Sequence, residues 1–254
     1  DASETGTVEF RDVSFHYPAS NKNVLEHITF QARQGETVAF IGATGSGKTT
    51  LVSLAARFYD ATEGQVLVDG VDVKDYTFDA LYDRVGYMTQ KAILFSGDVR
   101  GNVLFGASRG GDSDEDVRKA LDLAQASEFV DKMPGGLHAP IAEGGTNVSG
   151  GQKQRLSIAR ALARRPEILV FDDSFSALDY RTDAKLRAGL DRELKDTTRL
   201  IVAQRIGTIR DADKIIVLDE GRMVGMGTHE ELLKTCPVYQ EIARSQLSSE
   251  ELGA

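Results

Sequence analysis

The amino-acid sequence predicts an α/β domain built on a parallel sheet. Three observations point to it. First, short apolar runs recur along the chain: residues 37–41 (TVAFI), 85–88 (VGYM), 168–171 (ILVF), 200–203 (LIVA) and 214–218 (KIIVL). Their length and β-branched content suit buried strands. Second, helical stretches separate many of them, which implies crossovers between parallel strands. Third, the first run leads directly into Gly42, Ala43, Thr44, Gly45, Ser46, Gly47, Lys48, Thr49 and Thr50. The first eight of these fit G-x-x-x-x-G-K-[ST] at every fixed position.

Residues 1–6 are polar and read as a cut end or a linker. Residues 8–17 (VEFRDVSFHY) nearly alternate apolar and polar, the mark of a half-buried strand. Pro18 stops it, and Asn21 to Asn23 make a polar turn. Residues 28–32 continue as a strand, Gln34-Gly35 turns the chain, and the strand into the glycine loop follows. From Thr49 to Arg57 there are few breakers, and Leu51, Leu54 and Ala55 fall at helical spacing, so a helix follows the loop. Residues 65–68 (QVLV) form a strand ending in the tight turn Asp69-Gly70, and residues 85–88 another that leads to Gln90. Between Lys91 and Arg165 the character changes to glycine punctuation, an acidic helix over 114–124 and a long helix over 150–164. This predicts a mainly helical insertion. After the remaining strands, residues 222–227 close a hairpin, and Thr228-His229-Glu230-Glu231 has the capping-box pattern that opens a terminal helix.

A strand that feeds a glycine loop opening a helix lets backbone N–H groups curl around an anion. The helix N-terminus adds the positive end of its dipole. Lys48 then reaches the β- and γ-phosphates of a nucleotide, and the Thr49 hydroxyl ligates Mg²⁺. The 168–171 strand runs into Asp172. C-terminal ends of buried parallel strands face the ligand, so this carboxylate suits the surroundings of the metal. Ser149 and Gln152, flanking Gly150 and Gly151, fit the capping-box spacing, and one reading is a well-capped helix. The other is a second anion site, where a hydroxyl, exposed glycine N–H groups and a helix dipole meet. Both can hold.

The 254 residues are 41% hydrophobic and 27% charged, as in ordinary globular chains, and suffice for one large domain or two modest ones. No stretch approaches the ~18 consecutive apolar residues of a membrane helix, and the N-terminus lacks a signal-peptide pattern. The chain is therefore not expected to cross a membrane itself, although it could sit against a protein that does. A net charge of −9, from 30 basic and 39 acidic residues, argues against nucleic acid as a partner. The single Cys236 excludes an internal disulfide and a cysteine-rich metal site. With a nucleotide site, that points to a reducing cytoplasm.

With these motifs in this order, the chain resembles the nucleotide-binding domain of ATP-binding cassette transporters over nearly its whole length. Ser149-Gly150-Gly151-Gln152 is like the family's signature. The resemblance implies one cassette over residues 1–254. Residues 1–90 and 165–254 would form the α/β ATP-binding core with an antiparallel β subdomain, and residues 91–164 the helical signature subdomain. It implies ATP and Mg²⁺ as cofactors, with Thr49, Gln90 and Asp172 at the metal. Tyr17 matches the aromatic residue that stacks on adenine. Gln90 matches the glutamine that touches Mg²⁺ and the attacking water, and it begins the loop that senses the transmembrane partner. Ser176 to Asp179 (SALD) looks like the loop that crosses the dimer interface. Leu94 to Gly97 and Gly101 to Val103 are most similar to the exporter branch, where the cassette is fused behind membrane helices. In that family two cassettes pack head to tail, each ATP lying between one chain's phosphate loop and the other's signature. The resemblance thus implies a second cassette and the transmembrane domains of an exporter as partners, at the cytoplasmic face of a cell membrane.

Two positions depart from the family's pattern. After the strand-end aspartate the family usually has glutamate, which polarises the attacking water; here the residue is Asp173. Its carboxylate sits one methylene nearer the backbone, a withdrawal of about 1 Å. Such a misplacement can cost on the order of a hundredfold in rate. The family's switch histidine is replaced by Gln204, which can hydrogen-bond to a γ-phosphate but cannot become cationic or shuttle a proton. The changes could be tolerated variation, introduced substitutions, or the pattern of asymmetric exporters, one half of which is similar to this chain. Both changes fall in one half-site while the other motifs stand intact, which favours the third. Asp173, Gln204 and Gln90 are then the catalytic positions of a slow ATPase, paired with a non-identical cassette that carries an intact glutamate. The alternatives are a homodimeric exporter cassette with ordinary ATPase activity, a soluble cassette ATPase outside transport, and a regulatory ATP-binding module.

Overall fold

The computed structural model describes residues 5–106 and 111–248, so residues 1–4 of the polar lead-in lie outside it. Strand β1 (Val8–Phe15) pairs antiparallel with β2 (Leu25–Ala32). Strand β3 (Thr37–Ile41) runs into the glycine loop and helix α1 (Lys48–Ala55). Strands β4 (Glu63–Val68) and β5 (Val71–Asp72) complete a four-stranded antiparallel sheet in the order β2-β1-β4-β5. The short helix α2 (Phe78–Tyr82) then precedes β6 (Val85–Met88).

The next segment holds β7 (Gly97–Asp98), α3 (Val99–Leu104), α4 (Asp114–Leu123), α5 (Ser127–Lys132), β8 (Pro140–Ile141) and α6 (Gly150–Ala163). The ribbon β7-β8 adds two strands to a stretch expected to be mainly helical. Two-residue strands carry no readable periodicity, so only pairing reveals them. The chain then returns to the sheet with β9 (Ile168–Asp172), crosses through α7 (Tyr180–Glu193) to β10 (Thr198–Val202), and continues through α8 (Ile206–Ile209) to β11 (Lys214–Asp219). Strand β12 (Arg222–Gly227) folds back antiparallel on β11, as the expected hairpin, and α9 (His229–Thr235) and α10 (Pro237–Gln246) follow.

The second sheet has the order β12-β11-β3-β10-β9-β6, and its five strands other than β12 are parallel. Its side chains alternate between two cores, as the period of two along a strand requires. Val38, Phe40, Val170, Leu200 and Ile216 face α1 and the antiparallel sheet. Ala39, Ile41, Phe171, Ile201 and Ile215 face the other side, toward α3–α7, α9 and α10. Burial on both faces explains why these strands read as unbroken apolar runs rather than alternating ones.

The observed ends differ from the expected ones by a few residues. β1 stops at Phe15, where the chain turns: the Val24 N–H donates to the Phe15 carbonyl and the Ser20 N–H to that of Tyr17. β2 starts at Leu25, which pairs with Phe15 across the polar turn. Parallel strands share a direction, and β3, β10, β9 and β6 are consecutive neighbours. The loops at their C-terminal ends, carrying Gly42, Gln204, Asp173 and Gln90, therefore converge on one edge of the sheet.

Candidate nucleotide-binding site

That edge holds a cleft of about 310 Å³ lined by Thr44, Gly45, Gly47, Lys48, Thr49, Thr50, Gln90, Asp173 and Gln204 with Val24 and Val202. The glycine loop is shaped by steric demand. A Cβ on Gly42 would lie 2.3 Å from the Leu218 carbonyl oxygen of β11. Gly47, at φ 103°, caps α1 in the left-handed region that glycine enters freely, and no side chain caps the helix. The first N–H groups of α1 thus remain open to the cleft, the arrangement that suits an anion. Lys48 folds back on the loop, its Nζ donating to the carbonyls of Gly42 (2.7 Å) and Ala43 (2.9 Å) and to the Ser46 hydroxyl (3.4 Å).

Two carboxylates sit opposite. Asp172 Oδ1 accepts from the Thr49 hydroxyl at 2.9 Å, and Oδ2 from the Tyr87 hydroxyl at 3.1 Å. Asp173 Oδ2 accepts from Gln90 Nε2 at 3.0 Å. Burial raises the Asp172 pKa, against the two hydroxyl bonds and Lys48. Burial and the neighbouring Asp172 charge raise that of Asp173, against Lys48 and Arg205. Burial lowers the Lys48 pKa, against both carboxylates. Two adjacent buried carboxylates whose pKa values burial raises, beside an anion-shaped loop, suit a cation. Among the described residues no group of three or more His, Cys, Asp or Glu could hold a metal alone. A metal ion here must share its coordination with phosphate oxygens and water, as Mg²⁺ does. The hard oxygen set of Thr49 and Asp172 fits that ion.

A second hollow of about 720 Å³ shares Val24 and Gly45 with the cleft and is lined by Tyr17, Ser20, Lys22 and Asn23 among others. The Tyr17 hydroxyl is bonded to Thr50 Oγ1 at 2.7 Å, and its ring packs edge-on against Phe15 and Tyr59. The tyrosine therefore stands at the mouth of a trough that runs from the glycine loop outward. Another hollow, of about 300 Å³, lies between α4, α6 and the end of α7. Its walls are largely apolar, and no glycine loop opens into it.

Ser149, Gly150, Gly151 and Gln152 are not part of the phosphate-loop cleft. They open α6 with a complete capping box: Gln152 N–H donates to Ser149 Oγ (3.2 Å), and Ser149 N–H donates to Gln152 Oε1 (3.0 Å). A Cβ on Gly150 would meet nothing within 4 Å among the described residues, and its φ is not left-handed, so no contact among them demands glycine there. The capped-helix reading is thus observed, and the anion reading is left with an open backbone facing outward.

Three side chains at the site were not singled out from the sequence. Tyr87 is a polar tip on the short strand β6. Burial beside Asp172 holds its hydroxyl protonated, as a donor. Ser174 is fully buried and donates to the Met88 carbonyl at 2.9 Å. Arg205 lies next to Gln204 and reaches the chain after Asp173. Only the polar residue in an apolar run could have flagged Tyr87; the other two depend on which loops meet.

Fold and cleft together define a phosphate-loop ATP-binding cassette. The ABC transporter family model matches residues 25–176, and the chain belongs to that family. It is 48% identical over 252 residues to an uncharacterised ABC transporter ATP-binding protein of Mycobacterium tuberculosis, covering 98% of this chain and 43% of that protein. It is 41% identical over 246 residues to an ATP-dependent lipid A-core flippase of Aromatoleum aromaticum, covering 97% and 41%. Among solved structures, a bacterial Atm1-family ABC exporter with ATP bound matches with a TM-score of 0.90 and 34% identity, over 97% of this chain and 43% of that one. The chain spans about two-fifths of the length of each of these relatives. Among the described residues no helix is long and apolar enough to cross a membrane.

Proposed function

We propose that the chain is the cytoplasmic ATP-binding cassette of an ABC exporter. It binds Mg-ATP, pairs head to tail with a second cassette, and passes the closure of that pair to transmembrane helices. Residues 1–90 and 165–254 act as the ATP-binding core, and residues 91–164 as the signature-bearing part. Residues 42–50 cradle the phosphates, with Lys48 released from its carbonyl contacts to meet them, and Tyr17 offers its ring to adenine. Thr49, Asp172 and Gln90 hold Mg²⁺, which when bound supplies charge neutralisation at the β- and γ-phosphates. The open backbone at Gly150, unexplained by any contact among the described residues, supports a role for residues 149–152 on a partner's nucleotide. Exposed apolar side chains support a membrane-domain partner: Phe95 and Phe105 pack tilted with ring centres 4.4 Å apart, and Ile93, Phe58 and Phe78 are also exposed.

We infer further that the chain's own half-site turns over slowly and that its partner cassette is a different chain with an intact glutamate. The observation that carries this is the joint presence of Asp173 and Gln204 on the wall of the phosphate-loop cleft. The position of the water-polarising group holds a shortened carboxylate, already occupied by Gln90. That of the γ-phosphate sensor holds a neutral amide.

The deciding experiment is ATP turnover against protein concentration for the chain and for Asp173→Glu/Gln204→His. A nearly inert chain whose repaired form gains on the order of a hundredfold supports the slow half-site. Brisk turnover by the unaltered chain, with little gain on repair, makes it an ordinary self-pairing cassette.

A further inference from the structure

One side chain ties the Gln204 position to the loop of residues 174–179. Arg205 Nη2 donates to the Phe175 carbonyl at 2.6 Å, and Nη1 to the Leu178 carbonyl at 3.3 Å. Nη2 also reaches Asp183 Oδ2 at 3.2 Å, and the guanidinium lies 4.8 Å from the centre of the Tyr180 ring. Asp183 is 2% exposed at its side chain and accepts as well from Arg187 Nε (2.7 Å) and from the Thr208 hydroxyl (2.7 Å). The backbone that carries Arg205 is fixed on both flanks by a single amide. Gln246 of α10 donates from Nε2 to the Gln204 carbonyl (2.7 Å) and accepts at Oε1 from the Ile206 N–H (2.9 Å). The Ser174 hydroxyl also ties the loop to the end of β6, donating to the Met88 carbonyl. The planar fork of arginine suits this task, because one rigid group satisfies two carbonyls and a carboxylate at once.

We propose that Arg205 is a positioning residue that locks Gln204 to the loop of residues 174–179, so that nucleotide at the cleft and the outward-facing loop adjust together. This rests on the reading of the cleft as an ATP site. Gln204 lines the cleft, whereas no residue from 174 to 179 does. Asp173 also lines the cleft and leads straight into the loop, where Ser176 Oγ donates to its carbonyl at 2.9 Å; Arg205 adds a second, side-chain route, from Gln204.

The test is hydrogen exchange of the whole chain, read by mass spectrometry with and without Mg-ATP, at a dilution where light scattering gives the mass of one chain. In the unaltered chain nucleotide slows exchange in residues 42–50 and also in 174–180. In Arg205→Met the slowing at 42–50 stays within about twofold, while that at 174–180 falls by about fivefold or more. Arg205→Lys keeps the charge beside Asp173 but cannot span the three acceptors, so it behaves like Arg205→Met. It also carries the test should the methionine variant fail to fold. An undiminished loop response in Arg205→Met overturns the proposal, and a full response in Arg205→Lys overturns the fork geometry in favour of charge alone. It also fails if 42–50 responds in the unaltered chain and 174–180 does not. Absence of any response at 42–50 removes the ATP-site reading itself, and the inference with it.

Discussion

Asp173 follows β9 in the left-handed region, at φ 53°, with its N–H donating to the Val202 carbonyl at 2.9 Å. Aspartate and asparagine tolerate that region better than longer side chains, since a short polar group can hydrogen-bond locally. Its carboxylate is nevertheless in a costly place, buried and next to Asp172. The sign of the consequence follows from linkage. A carboxyl whose native pKa is raised has its charged form penalised in the folded state. The cost is absent below the ordinary carboxylate range, grows as pH rises through it, and is complete above the native pKa. Asp173→Asn keeps the shape, the left-handed preference and an acceptor for Gln90 while removing the charge. At pH 7.5 it should melt about 2–4 °C higher than the unaltered chain, and the gap should close toward acid pH. Melting curves over a pH series check this. A lower melting point at pH 7.5 would mean that attraction to Lys48 and Arg205 outweighs the burial.

At the scale of elements, the C-terminal pair α9–α10 carries a pH-sensitive joint. The capping box of α9 is complete, with Thr228 Oγ1 accepting from the Glu231 N–H and Glu231 Oε2 accepting from the Thr228 N–H. Behind it, His229 Nδ1 and the Tyr239 hydroxyl of α10 share a hydrogen bond at 2.6 Å, and Tyr239 is fully buried. Burial lowers the His229 pKa; Arg210 also disfavours its charge, whereas Asp211 and Glu230 favour it. The neutral ring is the one that fits. Its contribution to stability is complete above the ordinary histidine value and is lost as pH falls from there through the lowered native value. Protection factors of amides in residues 229–246, which correct for the intrinsic pH dependence of exchange, should therefore fall between about pH 7 and about pH 5 more than those in the central strands. His229→Phe, which keeps an aromatic body, should flatten that dependence. An equal loss of protection in the phenylalanine variant would assign the effect to other groups.

At the scale of the whole molecule, one hydrophobic cluster of the described residues spans the inserted segment and the parallel sheet. Leu156 of α6 is fully buried in the same cluster as Phe171 and Ile201 of the parallel sheet and Val103 and Val117 of α3 and α4. Truncation there should be felt everywhere at once. Leu156→Ala is expected to cost about 2–5 kcal/mol, and urea unfolding should remain a single transition seen alike by circular dichroism and tyrosine fluorescence. Two separated transitions would show that residues 91–164 unfold as their own unit.

The sequence by itself determined the elements whose causes are local. TVAFI and ILVF are strands because unbroken apolar runs of five or so residues suit burial on both faces of a parallel sheet. Gly42 to Thr49 is a phosphate loop because its spacing leaves backbone N–H groups at a helix start, and Thr228 to Glu231 is a capping box because four residues suffice to make one. Asp173 and Gln204 were legible as departures only against the pattern the chain resembles. What only the tertiary structure decided is everything set by adjacency. The strand order β3-β10-β9-β6 brings loops from distant parts of the chain to one cleft. It turns Tyr87 toward Asp172, seats Ser174 under Met88, and lets Arg205 bridge two loops. The two-residue ribbon β7-β8 exists only as a pairing. Local propensity and periodicity are properties of neighbours in the chain, whereas a site made of strand ends depends on which strands lie side by side, and that is fixed by packing.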